Sequence, residues 1–144
     1  MTDTFKEHVH FFERIPFNKY LGIKVDALEK GFVRLLLPFR PEFVGDMRRH
    51  ALHGGLISTL VDTCGGAAVW SCCHIDDAIA TIDVRVDYLR PAPEDDLIAE
   101  GTVKLLGNRV GNVHIKVHSA EHKRKILAEG RGVYNIRRNN VAKT

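Results

Sequence analysis

A histidine followed by two glycines, with an aspartate seven residues after the second glycine, is the part of the sequence best suited to chemistry. These residues are His53, Gly54, Gly55 and Asp62. The first turn of a helix leaves backbone N–H groups without partners and carries about half a positive charge, and glycines leave those donors unshielded. Gly54 and Gly55 are therefore predicted to bind an anion or a polarised carbonyl oxygen.

The glycines open a segment, 53–70, with the periodicity of a long helix. At about 100° per residue its apolar side chains fall on one broad arc, formed by Leu56, Ile57, Leu60, Val61, Cys64, Ala67 and Ala68. The opposite side carries small residues and one acid: Ser58, Asp62, Gly65 and Gly66. A surface helix usually carries Lys and Glu there, so this side predicts a helix that another part of the protein approaches closely.

The spacing of glycine and carboxylate also sets a geometric limit. Gly55 and Asp62 point the same way but lie about 10 Å apart along the helix axis. Reacting atoms must come within about 3–3.5 Å, so Asp62 cannot easily act on a carbonyl held at Gly55 of the same chain. If the two groups cooperate, one of them must come from a second copy of the helix. The spacing therefore predicts a site shared within a dimer.

Length and composition restrict the class of protein. The 144 residues fit one domain, 1–144, and 44% apolar with 27% charged residues is ordinary for a globular chain. A formal charge of +3 suits an anionic ligand. The sequence contains no basic run long enough to predict a nucleic-acid partner. The apolar stretch near 67–73 is too short to span a bilayer, so no membrane is expected. The three cysteines do not have the spacing of a disulfide framework, and the first residues lack an apolar secretion segment. Both observations predict a cytoplasmic location.

The flanking segments predict an antiparallel sheet. A short amphipathic helix is predicted within 5–20, ending before Pro16 or soon after it. A hairpin is predicted from strands at 23–27 and 32–37, and a loop over 39–52. Four strands follow the long helix, at 79–89, 97–106, 113–117 and 126–136, and 137–144 is predicted to be a flexible tail. Strict alternation assigns Thr81 to the face opposite Val84 and Val86. The element order predicts an α+β fold, with the sheet rolled around one central helix.

Two further motifs accompany the glycines and the aspartate. They are Thr81-Ile82-Asp83 and Tyr88-Leu89-Arg90-Pro91-Ala92. Together with residues 46–70 they resemble the hotdog-fold acyl-CoA thioesterases of the phenylacetate-pathway (PaaI-like) type, and the element order agrees over nearly the whole chain. The resemblance implies a hotdog fold and hydrolysis of acyl-CoA to a free acid and coenzyme A, which is then a product and a handle rather than a cofactor.

The resemblance also implies roles for individual residues. Gly55, beside Gly54 in the substrate-binding turn, would supply the N–H that polarises the thioester carbonyl. Asp62 would be the nucleophile or the base that activates water, and Thr81 would help to place that water. Members of the family often carry an Asn or Gln six residues before the His, in contact with the carbonyl or the water. Met47 occupies that position here.

Other polar residues have a functional and a structural interpretation. His53 is either a general base or, as we favour, a fixed hydrogen-bonding group at the helix entrance. Arg90, at a strand end, and Arg109, in a turn, are candidates for binding the phosphates of coenzyme A. The segment 72–77 contains cysteines, a histidine and aspartates, but adjacent residues are poor zinc ligands, so no metal is expected.

Two other functions are compatible with these motifs. A hotdog hydratase is the nearest enzyme alternative, although hydratases usually rely on an Asp–His pair in a different local motif. A non-catalytic acyl-CoA sensor or carrier would keep the helix entrance but would not need Asp62. The partners predicted for the thioesterase are an acyl-CoA substrate and a second copy of the chain, with a dimer of dimers also compatible.

Overall fold

One long helix, α3 (Gly54–Trp70), lies at the centre of the fold and packs against a six-stranded antiparallel sheet. The computed structural model describes residues 5–139. The predicted apolar arc of α3 faces the sheet and is buried from Ile57 to Ala68, while Leu56 is partly exposed. The prediction of a sheet wrapped around one central helix is confirmed.

The sheet follows the order β1-β2-β6-β7-β8-β5, so β1 and β5 are its edges. Its strands agree with the predicted ones to within a few residues: β1 (Lys24–Glu29), β2 (Phe32–Leu37), β5 (Ala78–Tyr88), β6 (Leu97–Leu106), β7 (Val110–Ser119) and β8 (Ile126–Arg137). The predicted loop over 39–52 is more ordered than expected. It contains a short 3₁₀ helix (Pro41–Phe43) and a separate two-stranded ribbon of β3 (Val44–Asp46) and β4 (Ala51–Leu52).

The predicted helix ends before Pro16, as expected, and a second, short helix follows it. They are α1 (Lys6–Arg14) and α2 (Pro16–Leu21), separated by Ile15 in an extended conformation. Proline has no backbone N–H and disfavours helical dihedrals in the residue before it, so Pro16 ends one helix and starts the next. On α1, Phe12 is buried and the His8 ring lies 4.4 Å from the Trp70 ring, centroid to centroid. α1 thereby packs against the C-terminal end of α3.

A β-bulge in β5 changes which residues share a face. Thr81 pairs with Tyr134 of β8, but Asp83 pairs with the next residue, Val133, so Ile82 is an extra residue in the ladder. An extra residue reverses the alternation beyond it. Thr81 therefore faces α3 together with Val84 and Val86, and the assignment from strict alternation is wrong. Ile82 itself is 56% exposed.

The small face of α3 is approached closely by Tyr134 of β8. A Cβ added at Gly65 would lie 2.1 Å from the Tyr134 hydroxyl, and one added at Gly132 would lie 2.4 Å from Cε2 of the same ring. The hydroxyl donates a hydrogen bond to the Asp62 backbone oxygen at 2.9 Å. Only glycine leaves room for this ring, which explains why residues 65 and 132 have no side chain.

Gly65→Ala should lower the free energy of unfolding by about 1–3 kcal/mol, because the added methyl overpacks the Tyr134 ring. Gly66→Ala is the matched control: its Cβ would lie 3.6 Å from that ring, an ordinary contact. The control should be neutral or stabilising by up to about 1 kcal/mol, from helix propensity. Urea unfolding of both variants measures the difference, and equal stability would contradict the packing account.

The C-terminal segment is fixed further along than predicted. Arg137 is the last residue of β8, and Arg138 and Asn139 both donate hydrogen bonds to the carboxylate of Asp77. The rest of the predicted flexible tail, 140–144, lies outside the described residues. Within 5–139, no helix combines the length and apolarity needed to cross a membrane.

Candidate active site

The N-terminus of α3 is capped by its own histidine. His53 has extended dihedrals, φ −64° and ψ 133°, and its Nδ1 accepts a hydrogen bond from the Gly55 N–H at 2.8 Å. The ring is thus a neutral acceptor at Nδ1, with its proton on Nε2. This is the structural role favoured for His53 from the sequence.

That cap changes which glycine can act as a donor. The Gly55 N–H, expected to polarise a carbonyl, already has His53 Nδ1 as its acceptor. The Gly54 N–H, one residue closer to the helix end, has no acceptor within residues 5–139. In this conformation the N–H available to a ligand is therefore that of Gly54 rather than that of Gly55.

Tyr88, at the end of β5, closes one side of this helix entrance. Its hydroxyl donates to the Gly54 backbone oxygen at 2.9 Å and is also hydrogen-bonded to Ser58 Oγ. No role for Tyr88 was predicted from the sequence. The sequence nevertheless contains a signal for this residue. Tyr88 follows Val84 and Val86 with a period of two, so strand alternation sets all three side chains on the same face.

Asp62 and Thr81 form the second polar group of the site. Thr81 Oγ1 donates to Asp62 Oδ1 at 2.7 Å, which leaves Asp62 Oδ2 available for another hydrogen-bond donor. Behind them, Tyr134 holds the Asp62 backbone. Burial, with a smaller contribution from the nearby Asp62 charge, raises the pKa of Tyr134, so its phenol stays a protonated donor. The structure brings Asp62 and Thr81 together, as the resemblance implied.

Asp62 and Thr81 lie between two open cavities. One, of about 550 Å³, runs beneath α1 and α2 and is mostly apolar, with Phe11, Phe12, Ile15, Trp70, Ile75 and Ile79 among its lining residues. The other, of about 590 Å³, lies on the side of Ser58, Thr59 and Tyr88. A carboxylate at such a junction can meet an apolar substrate group on one side and a polar one on the other.

The helix entrance and the carboxylate of one chain are far apart. Gly54 and Asp62 are eight residues apart on α3, which is about 12 Å along its axis. No bond-making contact can therefore form between a carbonyl held at Gly54 and the Asp62 carboxylate of the same chain.

The remaining predicted binding residues lie apart from Asp62. Met47 is 83% exposed in the turn between β3 and β4 and supplies no polar group. Arg90 donates to the Ile126 backbone oxygen near the start of β8, whereas the Arg109 backbone oxygen accepts from Ile136 near its end. Ile126 and Ile136 are ten positions apart on β8, which is about 30 Å. Arg90 and Arg109 of one chain cannot bind the same phosphate group.

Residues 72–77 make structural contacts with the end of the described chain. No group of three His, Cys, Asp or Glu side chains within 5–139 is placed to hold a metal. Burial acts to raise the pKa of Asp77, but backbone hydrogen bonds from Asn139 and His74 and the Arg138 guanidinium outweigh it, so the pKa lies below its usual value. Burial also raises the pKa of the Cys73 thiol, which disfavours a thiolate.

The sequence and the fold of this chain are both similar to those of known proteins. The family model described as the thioesterase superfamily matches residues 50–126. The medium/long-chain acyl-CoA thioesterase YigI of Escherichia coli K12 is 32% identical over 124 residues, covering 77% of this chain and 80% of that protein. A crystal structure of a thioesterase-superfamily protein superimposes with a TM-score of 0.86 at 33% identity, over 94% of this chain and all of that one. The E. coli PaaI protein shares the fold, with a TM-score of 0.78 at 24% identity over 90% of this chain and 89% of that one.

Proposed function

The chain belongs to the thioesterase superfamily, and from that premise we propose that it hydrolyses acyl-CoA thioesters to a free acid and coenzyme A. The observation that carries the proposal is the Asp62 carboxylate, hydrogen-bonded to Thr81 and open to a largely apolar cavity of about 550 Å³. A hydrolase for acyl thioesters needs this pairing of an apolar acyl site with a group that delivers oxygen to the carbonyl carbon.

Asp62 acts on the thioester in one of two ways. As a general base, it takes a proton from water while the oxygen attacks the carbonyl carbon; as a nucleophile, it attacks directly and water then hydrolyses the anhydride. Either way the carbon–sulfur bond breaks and coenzyme A leaves as a thiolate, which needs no strong acid. Thr81 orients the carboxylate through Oδ1, so that Oδ2 faces the substrate or water.

The carbonyl oxygen is stabilised at the N-terminus of α3. The Gly54 N–H and the positive end of the helix would bind the oxyanion that develops during attack. His53 contributes by capping the helix and holding the Gly55 N–H, which keeps the turn in its extended entry geometry. Because about 12 Å separates Gly54 from Asp62 along α3, the oxyanion donor and the carboxylate of one site come from two protomers.

The sheet edge at β5 supports this homodimer. β5 has 11 residues and pairs only with β8 within the described part of the chain, so its other edge has unpaired backbone groups. Exposed apolar side chains on or next to this strand are Ile82, Tyr88 and Leu89. An exposed edge of this length is a template for pairing with another strand. We propose that two β5 strands pair antiparallel about a twofold axis, and that a dimer of dimers is compatible with this arrangement.

Coenzyme A is the leaving thiol of the substrate and a product of the reaction, and no separate cofactor is required by this chemistry. We propose that the reaction takes place in the cytoplasm, in line with three cysteines whose spacing does not match a disulfide framework.

Arg90 is the better candidate for a phosphate of coenzyme A, because it follows Tyr88 at the helix-entrance end of β5. Arg90→Ala should raise KM with little change in kcat, and more at low than at high ionic strength. Arg109→Ala, at the opposite end of β8, is the matched control. Steady-state kinetics at two salt concentrations measure both. An effect confined to Arg109→Ala would reverse the assignment.

A panel of aliphatic and aryl acyl-CoAs, assayed with a thiol-trapping reagent, tests the function. We expect release of free coenzyme A from at least one chain-length class. Tight acyl-CoA binding without turnover would instead favour the sensor, and turnover of enoyl-CoA to a hydroxyacyl-CoA, with no thiol released, would favour the hydratase.

A further inference from the structure

A stripe of three residues connects the carboxylate to the far end of the apolar cavity. Asp62, Gly66 and Trp70 are spaced four residues apart on α3, so they lie one above another on the same helix face. All three line the cavity of about 550 Å³. The middle member has no side chain, and the cavity is therefore open along the helix between the carboxylate and the indole.

Apolar side chains contribute most of the lining of this cavity. They include Phe11, Phe12 and Ile15 from α1 and the residue after it, together with Ile75 and Ile79. An apolar cavity that begins at a reactive carboxylate fits the hydrocarbon part of an acyl group.

The length of the stripe fits a medium-chain group. From Asp62 to Trp70 is eight residues, or about 12 Å along the axis. Extended single-bonded chains advance about 1.2 Å per bond, so roughly ten carbons cover this distance.

The residues at the far end of the cavity disfavour an acyl chain longer than about ten carbons. The Trp70 ring is backed by His8 at 4.4 Å and Phe11 at 5.7 Å between centroids. Asp76 and Asp77 also line this end. A longer alkyl chain would meet a buttressed indole and the exposed carboxylate of Asp76, which an apolar chain does not solvate.

The missing side chain at Gly66 leaves space for a substrate and is not needed for packing within the fold. Beyond its own helix, an added Cβ would meet only the Tyr134 ring among residues 5–139, at 3.6 Å. Its neighbour Gly65 differs, because there the Tyr134 hydroxyl fills the position of a Cβ. The fold therefore requires glycine at 65 but not at 66.

We propose that Gly66 is the specificity-determining residue of the acyl site, and that the cavity takes unbranched acyl groups of about ten carbons. The inference rests on the proposed function for the chemistry, but the fit of an alkyl chain to the cavity can be tested without it. A side chain at position 66 would block the cavity about one helical turn, 6 Å, from Asp62. A butanoyl group spans about 4 Å and ends before that point, whereas a decanoyl group passes it.

The first measurement compares two substrates in one variant. In Gly66→Val, the ratio of kcat/KM for decanoyl-CoA to that for butanoyl-CoA should fall about tenfold or more from its wild-type value. Gly107→Ala, in the β6–β7 turn away from the cavity, should keep the wild-type ratio. The thermal midpoint is measured in parallel, and Gly66→Ala, expected to shift the ratio in the same direction but less, serves if the valine variant does not fold.

The second measurement needs no turnover. Trp70 is the single tryptophan of the chain, so its fluorescence reports on the far end of the cavity. Decanoic acid should change the Trp70 emission with saturation, and Gly66→Val should weaken its apparent affinity about tenfold.

The outcomes separate this inference from the proposed function. Decanoate binding that Gly66→Val weakens, in a protein that hydrolyses no acyl-CoA, would support the acyl cavity and remove the hydrolase. Turnover with an unchanged chain-length ratio in Gly66→Val and Gly66→Ala would overturn the role of Gly66. Absence of any Trp70 response to decanoate would overturn the medium-chain site.

Discussion

Asp62→Asn should lower kcat by about 10²-fold or more while leaving the affinity for acyl-CoA nearly unchanged. An asparagine is nearly isosteric and can still accept the Thr81 hydroxyl hydrogen bond, but it neither removes a proton from water nor forms an acyl intermediate. The loss should therefore fall on the chemical step. Steady-state kinetics combined with calorimetric binding of acyl-CoA to the inactive variant separate the two parameters.

A matched control is present on the neighbouring strand. Asp83 lies beyond the bulge on the opposite face of β5 and is exposed, so Asp83→Asn should leave kcat at the wild-type value. Wild-type turnover in Asp62→Asn would remove this carboxylate from the mechanism, and an equal loss in both variants would point to a general effect on the protein.

A mixture of two inactive homodimers, Gly54→Pro and Asp62→Ala, should regain roughly a quarter of wild-type activity. Each variant removes one half of the proposed site, and losing one oxyanion donor costs about 10²–10³ in kcat. In a mixed dimer, one site carries both defects and the other carries neither. Random exchange makes about half of the dimers mixed, with one intact site in each.

The proline variant is compatible with the backbone. Position 54 is the first residue of α3, where proline is favoured, and His53 already has the extended dihedrals that a residue before proline prefers. Gly54→Ala is the control because it keeps the N–H, and its Cβ would lie 3.5 Å from the Tyr88 ring. The proline variant should be about 10²-fold slower than this alanine variant. Lack of recovery on mixing, once subunit exchange has been demonstrated by mass, would exclude the shared site.

The long helix and the six main strands could be predicted because their signals are local. An apolar arc on α3 and alternation in β5 to β8 depend only on the order of residues along the chain. The distance between Gly54 and Asp62 along the helix axis could also be predicted from the sequence, because the rise per residue of a helix is constant. The motif resemblance then gave roles to residues that periodicity alone could not assign.

Other features depend on contacts between distant segments. The bulge at Ile82 is defined only by pairing with β8, so alternation within β5 assigned Thr81 to the wrong face. The choice between Gly54 and Gly55 as the donor depends on a side-chain rotamer of His53, which sequence does not specify. The β3–β4 ribbon was predicted as loop because strands of two and three residues are too short to show a period.

The packing of Tyr134 has a consequence for how this sequence can change over evolutionary time. Its ring occupies the Cβ positions of both Gly65 and Gly132, so the three residues are energetically coupled and the effects of substitutions among them are not additive. A side chain at position 65 or 132 becomes acceptable only after position 134 has become smaller. These positions form an epistatic unit, and we expect them to covary in an alignment of relatives, with alanine or serine at 65 accompanied by a smaller residue at 134.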